Sequence, residues 1–458
     1  MDYSLVAAAG GIAAVSIAIS PKASSSEVFY SGMSPEGKAP GLLMLTLSQV
    51  TTWIFARSLM NAAILGFYYG IWGTLAYTAY YLSFLTGGLI VDRVRHRHGC
   101  NSIQGFLEQR FGRIGNSCYN LVVGLRLVSE VFANLLVIGL LFGAAGSGSY
   151  MAAVLIFTVV ALIYSMQGGL HASLRTDVLQ MCLFLLVLAV LLVLAIAQPA
   201  ISLGDLGFKE FVIDEPGPVL LAVALLQIWS YPMHDPVMMD RGFIADRDTT
   251  KRSFMHAGWI SMLCILAFGS LGVVAGAHAE SGQSMNEVLQ QLLGTVPMLL
   301  LNLALVISAL STLDSTMTSS ARLMAVEMGV LKPTVNNGRI SMLLFMLAGV
   351  LLVFWGNKDL FSAVAVSGTA SMYLAPVIFF CIWGRCTNIP VWAYLGSFVV
   401  ALGAAAIYFL ESSGYTQWLG EAHKYTKLLW LSGATLIFGN GLFTLGWLTS
   451  RDQSAKAI

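Results

Sequence analysis

Apolar runs of about 20 residues recur from one end of this chain to the other, each separated from the next by a short polar stretch. A run of that length crosses roughly 30 Å of hydrocarbon as an α-helix. Lipid offers no partner for a backbone N–H or C=O, so only helices and closed barrels cross it. The runs lack the strict alternation of a barrel strand, which leaves helices. With 57% hydrophobic and 10% charged residues over 458 positions, a set of soluble domains is excluded. The sequence therefore describes an all-α polytopic membrane protein.

The pattern predicts about thirteen spans, near 4–20, 41–64, 66–91, 117–144, 148–167, 172–197, 217–234, 254–277, 296–328, 336–355, 359–383, 388–410 and 426–449. The first opens with MDYSLVAAAGG, an acid and no basic flank, which reads as a retained helix and not a cleaved leader. Lys and Arg set the orientation. With the N-terminus outside, the inner loops and tail carry Lys22, Lys38, Arg93, Arg95, Arg97, Arg110, Arg113, Arg175, Arg241, Arg247, Lys251, Arg252, Lys332, Arg339, Arg385, Arg451 and Lys456. The outer loops carry only Lys209, Lys358, Lys424 and Lys427. Such a bias predicts a cytoplasmic C-terminus, and the expected location is the plasma (inner) membrane. The net charge of +1 argues against nucleic acid as a partner. The six cysteines are scattered, with no CxxC pair, no disulfide framework and no transition-metal spacing.

Ionisable groups at membrane depth are costly and face a cavity or a partner. Here they are Arg57, Arg126, Glu130, Asp177, Asp314 and Arg322, with His234 and Asp235 where a span ends or breaks. At 100° per residue, Ser308, Ser311, Thr312, Ser315 and Ser319 fall within about 100° of arc. Arg322 shares that face and Asp314 flanks it. Hydroxyl and carbonyl oxygens are hard ligands that suit an alkali cation; the alternative is that the hydroxyls bond helix to helix. Arg126 and Glu130, four apart, either neutralise one another or meet a solute. Arg57 has no partner on its own helix and needs a carboxylate elsewhere or water. In IWSYPMHDPVMMDRGF (228–243), Pro232 and Pro236 remove backbone donors and break the helix. Interrupted helices free backbone groups for ions and solutes. LSQVTTWIF (47–55) is polar but holds no Gly or Pro, a weaker break signal.

YSMQGGLHASLRTDVLQ (164–180) resembles the GGL-x-A-xxx-TD-xx-Q signature of the sodium:solute symporter family. SIQGFLEQRFG (102–112), SALSTLDSTMTSS (308–320) and DPVMMDRGFIADRD (235–248) resemble other segments of that family in the right order. The resemblance implies a LeuT-like core of two inverted five-helix repeats. Residues 1–40 would then be an extra helix and inner loop, 41–197 the first repeat, 198–383 the second, and 384–458 two further helices and a tail. It also implies sodium as the coupling ion, no other cofactor, and uptake of a small polar solute by alternating access. Alignment of TTW with the proline carriers' SGW puts the main sodium site at Leu47, Val50, Ser308, Ser311 and Thr312. A second cation site, present in some members, falls on Asp177, Ser311, Asp314 and Ser315. Position 314 is ordinarily small or hydroxylated, and two acids at one site repel unless a cation or proton intervenes. Asp314 therefore strengthens that site, carries a proton, or pairs with Arg322 or Arg57.

The proline-carrier resemblance implies solute contacts at Thr51, Thr52 and Trp53. Gln49 stands where those carriers have an acid, their sixth-helix aromatics do not align cleanly with Trp229 and Tyr231, and these three with Glu130 are further candidate contacts. WIFARSLMNAAILGFYYG (53–70) is similar to the urea and polyamine permeases, while TTW follows the proline carriers. An amino acid, a urea-like amide or a small carboxylate fits. The rivals are a solute sensor of the same fold and a proton-coupled transporter. No signalling module follows SRDQSAKAI at the C-terminus, which favours transport. A membrane enzyme would need a nucleophile–base or metal cluster, and the histidines form none.

Overall fold

The computed structural model describes residues 3–207, 210–355 and 360–456. Lys209, Lys358 and the first residue of the span expected from 359 lie outside them. The described residues are helical throughout their ordered elements, with no strand among them.

In chain order the helices that position the site are α1 (Tyr3–Ile19), α2 (Ser26–Ser31), α3 (Leu42–Trp53), α4 (Ala56–Ala79), α5 (Ser83–His96), α6 (Ile103–Phe142), α7 (Gly148–Ile196), α8 (Pro216–Gln227), α9 (Pro236–Gly242) and α10 (Arg247–His278). Then come α11 (Met285–Leu293), α12 (Thr295–Arg322), α13 (Val335–Trp355), α14 (Leu360–Ala370), α15 (Val391–Ser412) and α16 (Lys424–Lys456).

Among the described residues, nine helical segments are long and apolar enough to cross a membrane. Two of them, Ala56–His96 and Gly148–Ile196, run 41 and 49 residues, about twice what one crossing needs. Each is divided by a glycine in the left-handed region, Gly70 (φ 64°) and Gly169 (φ 60°). At Gly169 a side chain would also collide, since an added Cβ would stand 2.3 Å from the Phe29 carbonyl oxygen. The GG pair of the 164–180 motif is thus a turn against α2 and not a ligand. Gly112 (φ 68°) divides α6 in the same way, so its first turns stand apart from the membrane-crossing part. Two shorter apolar helices, α1 and α8, complete the set. The expected span 41–64 is split between α3 and the start of α4, and that at 217–234 between α8 and a following turn. Length and apolarity alone single out nine segments among the described residues, so the number thirteen belongs to the proposal below.

Side-chain caps fix several starts: Ser102 accepts from Gly105 N at 3.0 Å and Asp235 from Met238 N at 2.9 Å. Around the middle of α3, α4, α6, α7, α9 and α12 the interior is polar. Arg57, Arg126 and Arg241 are among the largest fully buried side chains, and all three are ion-paired.

Candidate functional site

The site is built on two interrupted helices. α3 ends at Trp53, Ile54 leaves the helical region (φ −82°, ψ 74°), Phe55 is extended, and α4 begins at Ala56. No glycine or proline causes this break; tertiary partners hold it open. The Trp53 carbonyl accepts from Tyr81 Oη at 2.8 Å, and the Ile54 carbonyl accepts from Ser308 Oγ on α12. Backbone groups freed at membrane depth must be met inside the protein, and these are.

The second interruption follows α8. Residues 231–234 form one 3₁₀ turn, and α9 restarts at Pro236, where the missing N–H costs nothing. Freed carbonyls are again matched: Ile228 O accepts from Thr86 Oγ1 at 2.7 Å and Met233 O from Tyr119 Oη at 2.7 Å. The two breaks touch through Trp53 and Tyr231, whose rings meet edge-on at 5.8 Å. A break at 232–236 was expected from its prolines. The break at 54–55 also occurs, without them.

Beside this contact lies a buried charge network. Glu130 Oε1 accepts from Arg57 Nη2 at 2.8 Å and is ion-paired with Arg126 Nη1, and Arg126 Nη2 reaches Asp235 Oδ2 at 3.1 Å. Both expectations for these residues thus resolve together: Arg57 finds its carboxylate on another helix, and Arg126 and Glu130 do pair. Arg57 and Arg126 stack over Phe55 at 5.5 and 5.6 Å, and Arg126 over Tyr231 at 5.5 Å. Several polar atoms here make no hydrogen bond among the described residues: Arg57 Nε and Nη1, Glu130 Oε2, Trp53 Nε1, and both amide atoms of Gln49. His234 is committed to the Tyr231 carbonyl (2.6 Å) and Ser367 Oγ (3.0 Å).

One step along α12 lies a second network. Asp177 accepts from Ser48 Oγ (2.6 Å), Ser311 Oγ (2.8 Å) and Arg241 Nη2 (3.1 Å). Arg241 also donates to Ser48 Oγ, Ser315 Oγ and the Val237 carbonyl. Sequence reasoning put Arg241 among the loop charges. The structure buries it completely, because the short helix α9 turns it inward onto Asp177. A guanidinium therefore already bridges two of the four residues expected to hold a second cation, Asp177 and Ser315. Asp314, on the neighbouring face, accepts from Thr176 Oγ1 at 3.0 Å, and its Oδ1 has no hydrogen bond of ordinary geometry. Neither arginine expected for it arrives. Arg57 is spent on Glu130, and Arg322 pairs with Asp240 at 3.0 Å, with Glu327 at 3.6 Å and with the Tyr30 carbonyl. Ser319, the last hydroxyl of the stripe, donates to Asp240 at 2.7 Å.

The remaining expected residues divide. Ser308, Ser311 and Thr312 sit together, with Thr312 Oγ1 on the Ser308 carbonyl at 2.9 Å. The Val50 carbonyl accepts the last bond of α3, from Ile54 N at 3.0 Å. Leu47 lies inside α3, next to Ser48, which shares Asp177 with Ser311 of α12. Thr51 and Thr52 are buried, but the Thr52 hydroxyl turns back to the Gln49 carbonyl at 3.1 Å. Trp229 departs from expectation: it is 37% exposed and packs on Phe379 and Trp383, away from Trp53. The turn rotates it outward while Tyr231 faces in. Sequence reasoning missed Ser48, Tyr81, Thr176 and Arg241; each acts through a partner distant in the chain.

The sodium:solute symporter family model matches residues 37–216. No curated protein matches the chain. Among solved structures, the substrate-bound outward-open state of a Na⁺-coupled sialic acid symporter has a TM-score of 0.73 at 13% identity, covering 97% of each chain. A nucleobase-cation-symport-1 family transporter, in a closed conformation with bromovinylhydantoin bound, has a TM-score of 0.57 at 12% identity, covering 94% of this chain and 96% of that one. A manganese transporter of Eremococcus coleocola has 0.54 at 14%, covering 93% and 99%. The architecture is that of LeuT-like transporters, and the chain is a multi-pass membrane protein of that fold.

Proposed function

From the sodium:solute symporter match and the paired helix breaks, we propose a sodium-coupled symporter that imports a small polar solute by alternating access. An amino acid, a urea-like amide or a small carboxylate fits the interior. The carrying observation is the contact of Ser308 with the Ile54 carbonyl beside the Trp53–Tyr231 contact. It sets hard oxygen donors beside a buried polar cluster at the junction of two interrupted helices. Thirteen crossings with an outer N-terminus and a cytoplasmic C-terminus, and repeats over 41–197 and 198–383, complete the reading. Two flanking helices follow the second repeat.

Sodium is assigned to the Ile54 carbonyl, with Ser308, Ser311 and Thr312 from α12. The carbonyls of Leu47 and Val50, expected from the resemblance, stay in the proposed donor set, and the Thr51 carbonyl, one turn before Ile54, joins them. Solute is assigned to Gln49, Trp53, Tyr231 and the free edges of Arg57 and Glu130. Polar atoms left without partners in a buried site are where a polar solute gains most. The test is melting of the purified protein with amino acids, ureas and small carboxylates, each with and without Na⁺. A solute whose stabilisation requires Na⁺ is expected, by linkage. If no solute in these classes stabilises, or if stabilisation ignores Na⁺, the assignment is wrong.

Asp314 carries the further expectation of an extra cation, sodium or proton, at its unpartnered oxygen. Asp314→Ser is expected to lower the sodium Hill slope or flatten the pH dependence of uptake in proteoliposomes under imposed Na⁺ and H⁺ gradients. Unchanged slope together with unchanged pH dependence would remove Asp314 from coupling.

A further inference from the structure

The face of α6 opposite Arg126 and Glu130 borders a groove of about 590 Å³, closed on its other side by Leu323, Met324, Glu327 and Phe345. Its two ends differ in chemistry. One end, around the Gly112 turn, holds Glu108, Arg113, Asn116, Asn120 and Glu327. The other is apolar, and its Leu121 and Leu125 are 56% and 62% exposed. From Arg113 to Val128 the groove follows about 22 Å of helix, the reach of a headgroup and much of one acyl chain.

The polar end is unevenly equipped. Asn120 is 94% buried, spends its Nδ2 on Asn116 Oδ1 at 3.1 Å, and leaves its Oδ1 acceptor without a hydrogen bond. Glu108 takes only a neutral donor, Asn116 Nδ2 at 3.3 Å. Glu327 shares Arg322 with Asp240. Arg113 is exposed and forms no ion pair among the described residues. Arg322 is already divided between Asp240 and Glu327, which leaves Arg113 as the unpaired cation beside three acceptors among the described residues. A purely anionic headgroup would meet two carboxylates, whereas a zwitterion with N–H donors meets a complement for each of its ends.

We propose that this groove is a binding site for a phospholipid with a primary-ammonium headgroup. The ammonium donates to Asn120 Oδ1, Glu108 and Glu327, the phosphate faces Arg113, and an acyl chain lies along Leu121 and Leu125 against Phe345. A choline headgroup has no N–H to donate, so the site discriminates by hydrogen bonding and not by charge alone. The site stands on the lipid-facing side of α6 and does not rest on the transport reading.

Purified full-length protein is delipidated and mixed with phosphatidylethanolamine, phosphatidylcholine or phosphatidylglycerol of matched chains. Retention is read by native mass spectrometry and stability by melting. Phosphatidylethanolamine is expected to be retained several-fold over the others and to raise the melting midpoint most. Glu108→Gln combined with Asn120→Leu should erase that preference, and Arg113→Ala should weaken both ethanolamine and choline lipids. Because retention is counted on folded protein only, a variant that folds poorly still reports. Equal retention of all three lipids, preference for phosphatidylglycerol, or a preference that survives the double substitution overturns the proposal.

Discussion

Asp177→Ala is expected to destabilise the protein by about 3–5 kcal/mol and to abolish sodium-driven uptake. Asp177 is the carboxylate that answers Arg241, and both side chains are fully buried. Without it the guanidinium keeps Ser48, Ser315 and the Val237 carbonyl, neutral partners that do not offset a buried cation. The pair also ties α3, α7, α9 and α12 together, so its loss loosens the frame around both helix breaks. Asp177→Leu with Arg241→Leu removes both charges and should recover most of the stability, since apolar isosteres of a buried pair are often neutral. Uptake should stay lost, because Ser48 and Ser311 then face hydrocarbon. Melting and proteoliposome uptake on the same preparations decide it. A stable single variant would mean that Arg241 finds water.

Features governed by local sequence were legible; features governed by distant partners were not. Hydropathy placed the helices because the lipid requirement acts on each segment by itself. Pro232 and Pro236 announced the second break because proline removes a donor wherever it stands. The break at Ile54 carries no such mark. It is held by Tyr81 and Ser308, 28 and 254 positions from the carbonyls they meet. Arg241 read as a loop charge because Asp240, Asp246 and Arg247 surround it in sequence. Its true partner is 64 residues away. Trp229 and Tyr231 are both aromatic and close in sequence, yet two residues stand 200° apart even on a regular helix, so one faces out while the other meets Trp53. The Arg126–Glu130 spacing was visible as a helical i, i+4 pair, while Arg57 joined it only through the packing of α4 on α6. The hydroxyl stripe on α12 was visible as a stripe. Its division into Ile54-facing, Asp177-facing and Asp240-facing parts depended on what other helices bring to each level.

Glu130→Ala should be the most damaging change at the solute level, again by about 3–5 kcal/mol. Two guanidinium groups lean on one Glu130 oxygen, and only Arg126 has a second acid, Asp235. Removing Glu130 strands Arg57 beside Phe55, and a cation–π contact worth on the order of 2 kcal/mol, already present before the change, adds nothing to offset the loss. Glu130→Gln keeps an acceptor without the charge and should fall between the two. Arg57→Leu combined with Glu130→Leu leaves Arg126 with Asp235 and restores the charge balance, so it should melt closer to the unaltered protein than Glu130→Ala does. The readout that separates a solute contact from a structural one is uptake in this double variant. A structural role alone would return uptake along with stability. A folded double variant that imports nothing, and whose melting no longer responds to the solute identified with Na⁺, is the expected result. It follows from the free Arg57 Nε and Nη1 and Glu130 Oε2, the polar atoms that a bound solute would satisfy.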